Sequence, residues 1–61
     1  MAKFIRIHNE EGQERFINME QVTCVYPEDN GLDFSDGEDL YIPRQNEWNK
    51  VMKFIYENEE V

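Results

Sequence analysis

The sequence predicts an α+β domain: a five-stranded antiparallel, strongly bent sheet, or a partly open barrel of the same strands, with one C-terminal helix packed on it. The expected order is β-β-β-β-β-α. Three observations lead there. Short stretches of period-2 alternation, bounded by Gly, Pro, Asn and Asp, fill the chain as far as Ile42. Only Glu47–Glu57 carries a long helical period, with Trp48, Val51, Met52 and Ile55 at i, i+3, i+4 and i+7 and Lys50, Lys53 and Glu57 on the opposite side. With 61 residues, 39% of them hydrophobic and 13% aromatic, the chain builds one small domain over residues 1–61.

The elements follow in order. Lys3–His8 alternates, with Ile5 and Ile7 on one face and Phe4, Arg6 and His8 on the other. Asn9-Glu10-Glu11-Gly12 supplies turn residues, and Gln13–Ile17 resumes a strand, so the pair reads as a hairpin. The Asn18 side chain can accept from backbone amides just beyond it, which predicts a capped single turn over Asn18–Gln21. Val22–Tyr26 is β-branched and aromatic, and Pro27 ends it because proline donates nothing to a ladder. Leu32 and Phe34 then alternate inward between the turn signals Asp29-Asn30-Gly31 and Asp36-Gly37, Leu40-Tyr41-Ile42 closes a second hairpin, and Pro43 stops it. Asn46 is the expected N-cap of the helix, with Glu47 favourable in its first turn. The expected core is Ile5, Ile7, Phe16, Val22, Val25, Leu32, Phe34, Leu40, Ile42, Trp48, Val51, Met52 and Ile55.

Charge narrows the function. Fourteen acids against six bases give a net charge of −8, which opposes the phosphate contacts that dominate nucleic-acid affinity and disfavours an anionic membrane. No window approaches the ~20 apolar residues of a membrane span. A single cysteine, Cys24, has no internal disulfide partner, and no basic segment followed by a long apolar run opens the chain, so the expected compartment is the reducing cytoplasm.

Catalytic and metal constellations do not assemble. The one histidine, His8, reads as a surface or strand-edge residue, and a zinc site needs three or four ligands. Cys24, alternating with Val22 and Tyr26, reads as a small buried hydrophobe. A calcium loop started at Asp29 fails because its third and sixth positions are Gly31 and Phe34. No phosphate-binding glycine loop and no nucleophile–base pairing occurs, so no enzyme and no cofactor is expected.

The segments Ile5-Arg6-Ile7-His8-Asn9, Phe16-Ile17-Asn18 with Val22 and Val25 following, and Leu32-Asp33-Phe34-Ser35-Asp36-Gly37-Glu38-Asp39-Leu40-Tyr41-Ile42 together resemble the small bacterial FlbD-type proteins found with flagellar genes. That family places strands, an asparagine and an Asp/Asn-Gly hairpin in similar order before a C-terminal helix. The resemblance implies the architecture and a non-enzymatic bacterial setting. The chain departs from the family in its longer first turn at Asn9–Gly12, its acidity, and Arg44-Gln45-Asn46.

The function expected from the residues is that of a non-catalytic, cytoplasmic protein-binding or regulatory module of bacterial or phage origin, acting through an acidic surface on a partner with a basic one. Glu28, Asp29, Asp33, Asp36, Glu38 and Asp39 form that surface, six acids in twelve residues with no base among them. Phe4 and Arg6, on the face opposite Ile5 and Ile7, are the alternative partner-binding residues. Two other readings stay open: an acidic nucleic-acid mimic that occupies the basic groove of a DNA- or RNA-binding enzyme, and a self-associating structural subunit.

Overall fold

A computed structural model describes residues 3–59. Among the described residues, five antiparallel strands and one C-terminal helix make up the α+β class: β1 (Phe4–His8), β2 (Glu14–Asn18), a 3-10 turn (Met19–Gln21), β3 (Val22–Tyr26), a second 3-10 turn (Pro27–Asp29), β4 (Gly31–Phe34), β5 (Asp39–Tyr41) and α1 (Gln45–Asn58). The strands do not form the single sheet expected. They divide into a two-stranded sheet, β1-β2, and a three-stranded sheet, β3-β4-β5, and no ladder joins β2 to β5 among the described residues.

The division begins at Asn18. Its side-chain Oδ1 accepts from the Glu20 amide at 3.1 Å, capping the 3-10 turn that redirects the chain between β2 and β3. The turn is tied to both sheets, because the Met19 amide donates to the Lys3 carbonyl at 2.8 Å and the Ser35 amide to the Gln21 carbonyl at 2.8 Å. The chain therefore steps from one sheet to the other without pairing β2 across to β5.

Ile7, Ile17, Met19, Leu32, Ile42, Trp48 and Val51 are buried together, with Ile5, Val22, Val25, Phe34, Leu40, Met52, Phe54 and Ile55 packed around them. The helix is thus a cover for both sheets, as its Trp48/Val51/Met52/Ile55 face implies. One expected core residue is misplaced by the sequence: Phe16 is 61% exposed, and Ile17 takes its place inside. The first turn sets that register. Asn9 Oδ1 accepts from the Glu11 amide at 3.0 Å and the Gln13 amide at 2.9 Å, while Gly12 adopts φ +82°, so Ile5 lies opposite Ile17. Directly opposed residues share a face, and a one-residue slip inverts the whole strand.

Val22 and Val25 are three apart, and an unbroken strand would send them to opposite faces. A register shift between Val22 and Cys24 leaves Thr23 as the extra residue and brings both valines inward. The same bulge overturns the buried reading of Cys24, which is exposed. At the helix, Arg44 rather than Asn46 is the N-cap and makes no side-chain cap bond. Arg44 Nη2 instead donates to the Glu10 carbonyl at 2.6 Å, while the Arg44 carbonyl accepts from the Glu47 and Trp48 amides at 3.1 and 2.9 Å.

Candidate functional site

The break between the two sheets leaves a groove of about 590 Å³, with β2 along one side and β5 along the other. Ile7, Ile17, Phe34, Leu40 and Ile42 give it an apolar floor, and Glu10, Glu11, Arg15 and Asp39 stand along its rim. Phe16 and Tyr41 also line it, yet they are 61% and 66% exposed. Two large aromatic rings thus remain in solvent beside a ready apolar surface. That combination marks contact sites more often than scattered exposed apolar residues do.

The ladders show what the flanking backbones offer. In the first hairpin, the Met19 amide bonds the Lys3 carbonyl and the Asn9 amide bonds the Gln13 carbonyl at 3.0 Å. Antiparallel pairs alternate between bonded and non-bonded, so these two bonds set the phase: Ile5/Ile17 and Ile7/Arg15 exchange main-chain bonds. Phe16 directs its N–H and C=O away from β1. Glu14 faces the same way, although its carbonyl accepts from Arg15 Nη1 at 2.9 Å. In the second hairpin, the Phe34 amide donates to the Glu38 carbonyl at 2.8 Å and the Ile42 amide to the Asn30 carbonyl at 2.9 Å. Leu32/Leu40 are then the bonded pair, and Asp39 and Tyr41 direct their main-chain groups away from β4. Among the described residues, each bank of the groove is a sheet edge.

The predicted acidic residues do not form one cluster. Glu28 and Asp29 sit in the 3-10 turn before β4, and Asp36 and Glu38 in the turn after it, where Asp36 Oδ1 accepts from the Glu38 amide at 3.0 Å. The four residues of β4 separate these ends by about 13 Å at ~3.3 Å per residue. Between them Asp33 and Asp39 lie directly opposite each other on the outward face. Like charges so placed repel, and the hairpin tolerates them because both side chains reach solvent at least in part. Asp33 Oδ2 also accepts from the Tyr26 hydroxyl at 2.8 Å. The Cys24 side chain first, and the Asp33 carboxylate next, raise the ionisation of Tyr26 well above its ordinary 10.0, so the phenol stays neutral.

Phe4 and Arg6 are on the outward face of β1 as expected, with Phe4 58% exposed and Arg6 paired to Glu14 across the hairpin at 3.7 Å. Arg6 lies directly opposite Phe16, so this alternative site continues into the groove rim. Phe16 and Tyr41 were missed by sequence reasoning. The signal for Tyr41 was present, since the inward neighbours Leu40 and Ile42 force it outward; for Phe16 it depended on the turn register.

His8 is half-buried rather than a plain surface residue. Its Nδ1 lies 3.4 Å from Oε1 of Glu47, and Lys50 Nζ lies 2.9 Å from Oε2 of the same carboxylate. Glu47 is only 5% exposed. Lys50 foremost, helped by His8 and opposed by burial, holds the Glu47 carboxyl below its ordinary value of 4.5. This cluster joins α1 to the end of β1. Among the described residues, no three His, Cys, Asp or Glu side chains are grouped to hold a metal ion, and no helix is long and apolar enough to cross a membrane.

Comparison of the chain with family models, curated proteins and solved structures gives no match.

Proposed function

We propose that this protein is a non-catalytic protein-binding module whose docking surface is the groove between β2 and β5 with the acidic outer face of β4 and β5 beside it. The observation that carries the reading is the pair of sheet edges standing over one apolar floor, with Phe16 and Tyr41 exposed at the rim. A net charge of −8 adds long-range attraction for a basic partner and speeds its approach. A bacterial or phage cytoplasm suits a chain with one exposed thiol and no disulfide.

Capture of partners by the wild-type protein and by a Phe16→Ala/Tyr41→Ala variant tests this, followed by binding measurements with the purified partner. The double variant should lose the partner while keeping its fold, and Asp33→Asn/Asp36→Asn/Asp39→Asn should slow association and flatten its salt dependence. A partner that binds both variants as it binds the wild type would refute the reading. The exposed carboxylates of Glu28, Asp29, Asp36, Glu38 and Asp39 also support the nucleic-acid mimic as a second reading. That reading requires the partner to be a nucleic-acid-binding protein, with added duplex or single strand displacing this chain from it.

A further inference from the structure

Resting on the reading of the groove as a docking surface, we propose that its occupant is an extended segment of a partner protein, alternately apolar and basic, that enters as an added strand between β2 and β5. A strand offers main-chain N–H and C=O groups along both of its edges. The groove presents the complement: Phe16 on one bank and Asp39 and Tyr41 on the other turn their main-chain groups away from their own sheets. The added strand joins β1-β2 to β5-β4-β3, so the partner completes the sheet that this chain leaves open.

The side-chain pattern follows from the neighbours. Successive residues of a strand face opposite sides of the sheet, so every second residue of the guest lies over Ile17, Leu40 and Ile42 and must be apolar; Arg15 shares that face of β2, with its guanidinium held on the Glu14 carbonyl and the Gln13 side chain. The residues between them lie on the outer face, beside Glu14 and Phe16 on one bank and Asp39 and Tyr41 on the other. Each bank therefore offers a carboxylate, that of Glu14 shared with Arg6, and an exposed ring, and Lys or Arg satisfies both through charge and through the ring face. A second copy of this chain is a poor guest. Both molecules would carry −8, and their mutual repulsion opposes such pairing.

The test uses the peptide Lys-Val-Lys-Val-Lys-Val-Lys, its Glu-for-Lys counterpart, and two forms of the Lys peptide N-methylated at alternate residues in either phase. Binding to the 61-residue chain is followed by NMR. The Lys peptide should bind at least tenfold more tightly than the other three, and the amides of Phe16 and Tyr41 should gain protection from exchange. Tyr41→Pro removes, besides the exposed ring, an N–H directed into the groove, and proline is tolerated on a sheet edge at such a position. It should weaken the peptide at least tenfold with the fold unchanged, whereas Tyr41→Ala, which keeps the N–H, should weaken it less.

N-methylated peptides that bind as tightly as the parent would overturn strand addition while leaving the docking surface intact. Failure of all four peptides at millimolar concentration would also overturn it, and the partner-capture experiment with Phe16→Ala/Tyr41→Ala then judges the docking surface separately. A dimer in sedimentation that Tyr41→Pro abolishes would assign the edges to a second copy and overturn the proposal.

Discussion

Replacing Trp48 by alanine tests whether α1 covers both sheets. Trp48 is 2% exposed and belongs to the same buried cluster as Ile7 and Ile17 from the first hairpin and Leu32 and Ile42 from the second half of the fold. An indole buries on the order of 150–250 Å², which at roughly 25 cal/mol per Å² is about 4–6 kcal/mol of transfer free energy before the alanine's own share is returned. Measured Trp→Ala losses in cores are about 3–5 kcal/mol. A 61-residue domain holds roughly 3–9 kcal/mol in all, at about 0.05–0.15 kcal/mol per residue, so Trp48→Ala should populate the unfolded state strongly at room temperature. Urea denaturation should be followed by far-ultraviolet circular dichroism, because the substitution removes the only tryptophan. Trp48→Phe, which keeps an aromatic ring at the site, should lose less and provides a graded control. A loss below about 1 kcal/mol for Trp48→Ala would mean that the helix does not cover the core and that the register of α1 is wrong.

Two further outcomes follow. Glu47 has a lower pKa folded than unfolded, so the unfolded chain binds the extra proton and stability rises with pH across its titration. Its contribution is complete above about pH 4.5 and fades as the pH falls through the lower folded value; the urea midpoint of Glu47→Gln should therefore depend less on pH below 4.5 than that of the wild type. Gly37 sits at φ +90° with open space where a Cβ would stand, so Gly37→Ala should cost about 1–2 kcal/mol through backbone strain alone, and an unchanged thermal midpoint would contradict the turn geometry.

Local chemistry made much of this fold legible. Pro27 ends β3, Asn18 caps its turn, and Asp36-Gly37 turns the second hairpin, because each acts within three or four residues of itself. What the sequence hid depends on counting across a turn or a bulge. The length of the Asn9–Gln13 turn decides whether Phe16 or Ile17 faces the core, and one extra residue at Thr23 exposes Cys24 while burying both Val22 and Val25 in part. The helix start was not legible from cap residues, because Arg44 takes the N-cap place without a side-chain cap bond and reaches instead to the Glu10 carbonyl 34 residues away. Of the candidate site, the acids and Phe4 and Arg6 were legible as exposed residues. The groove itself was not, because it arises from two sheets that alternation alone reads as one.

The central claim is that β2 and β5 are free edges facing a shared groove, and residue-resolved amide hydrogen exchange of the unliganded protein tests it most directly. Neighbouring residues in each strand serve as internal controls. The amides of Phe16 and Tyr41 should exchange orders of magnitude faster than those of Ile17 and Leu40, whose N–H groups are held within their own hairpins. Slow exchange at both Phe16 and Tyr41 in the free protein would mean that these edges are already paired, and the open groove would not exist.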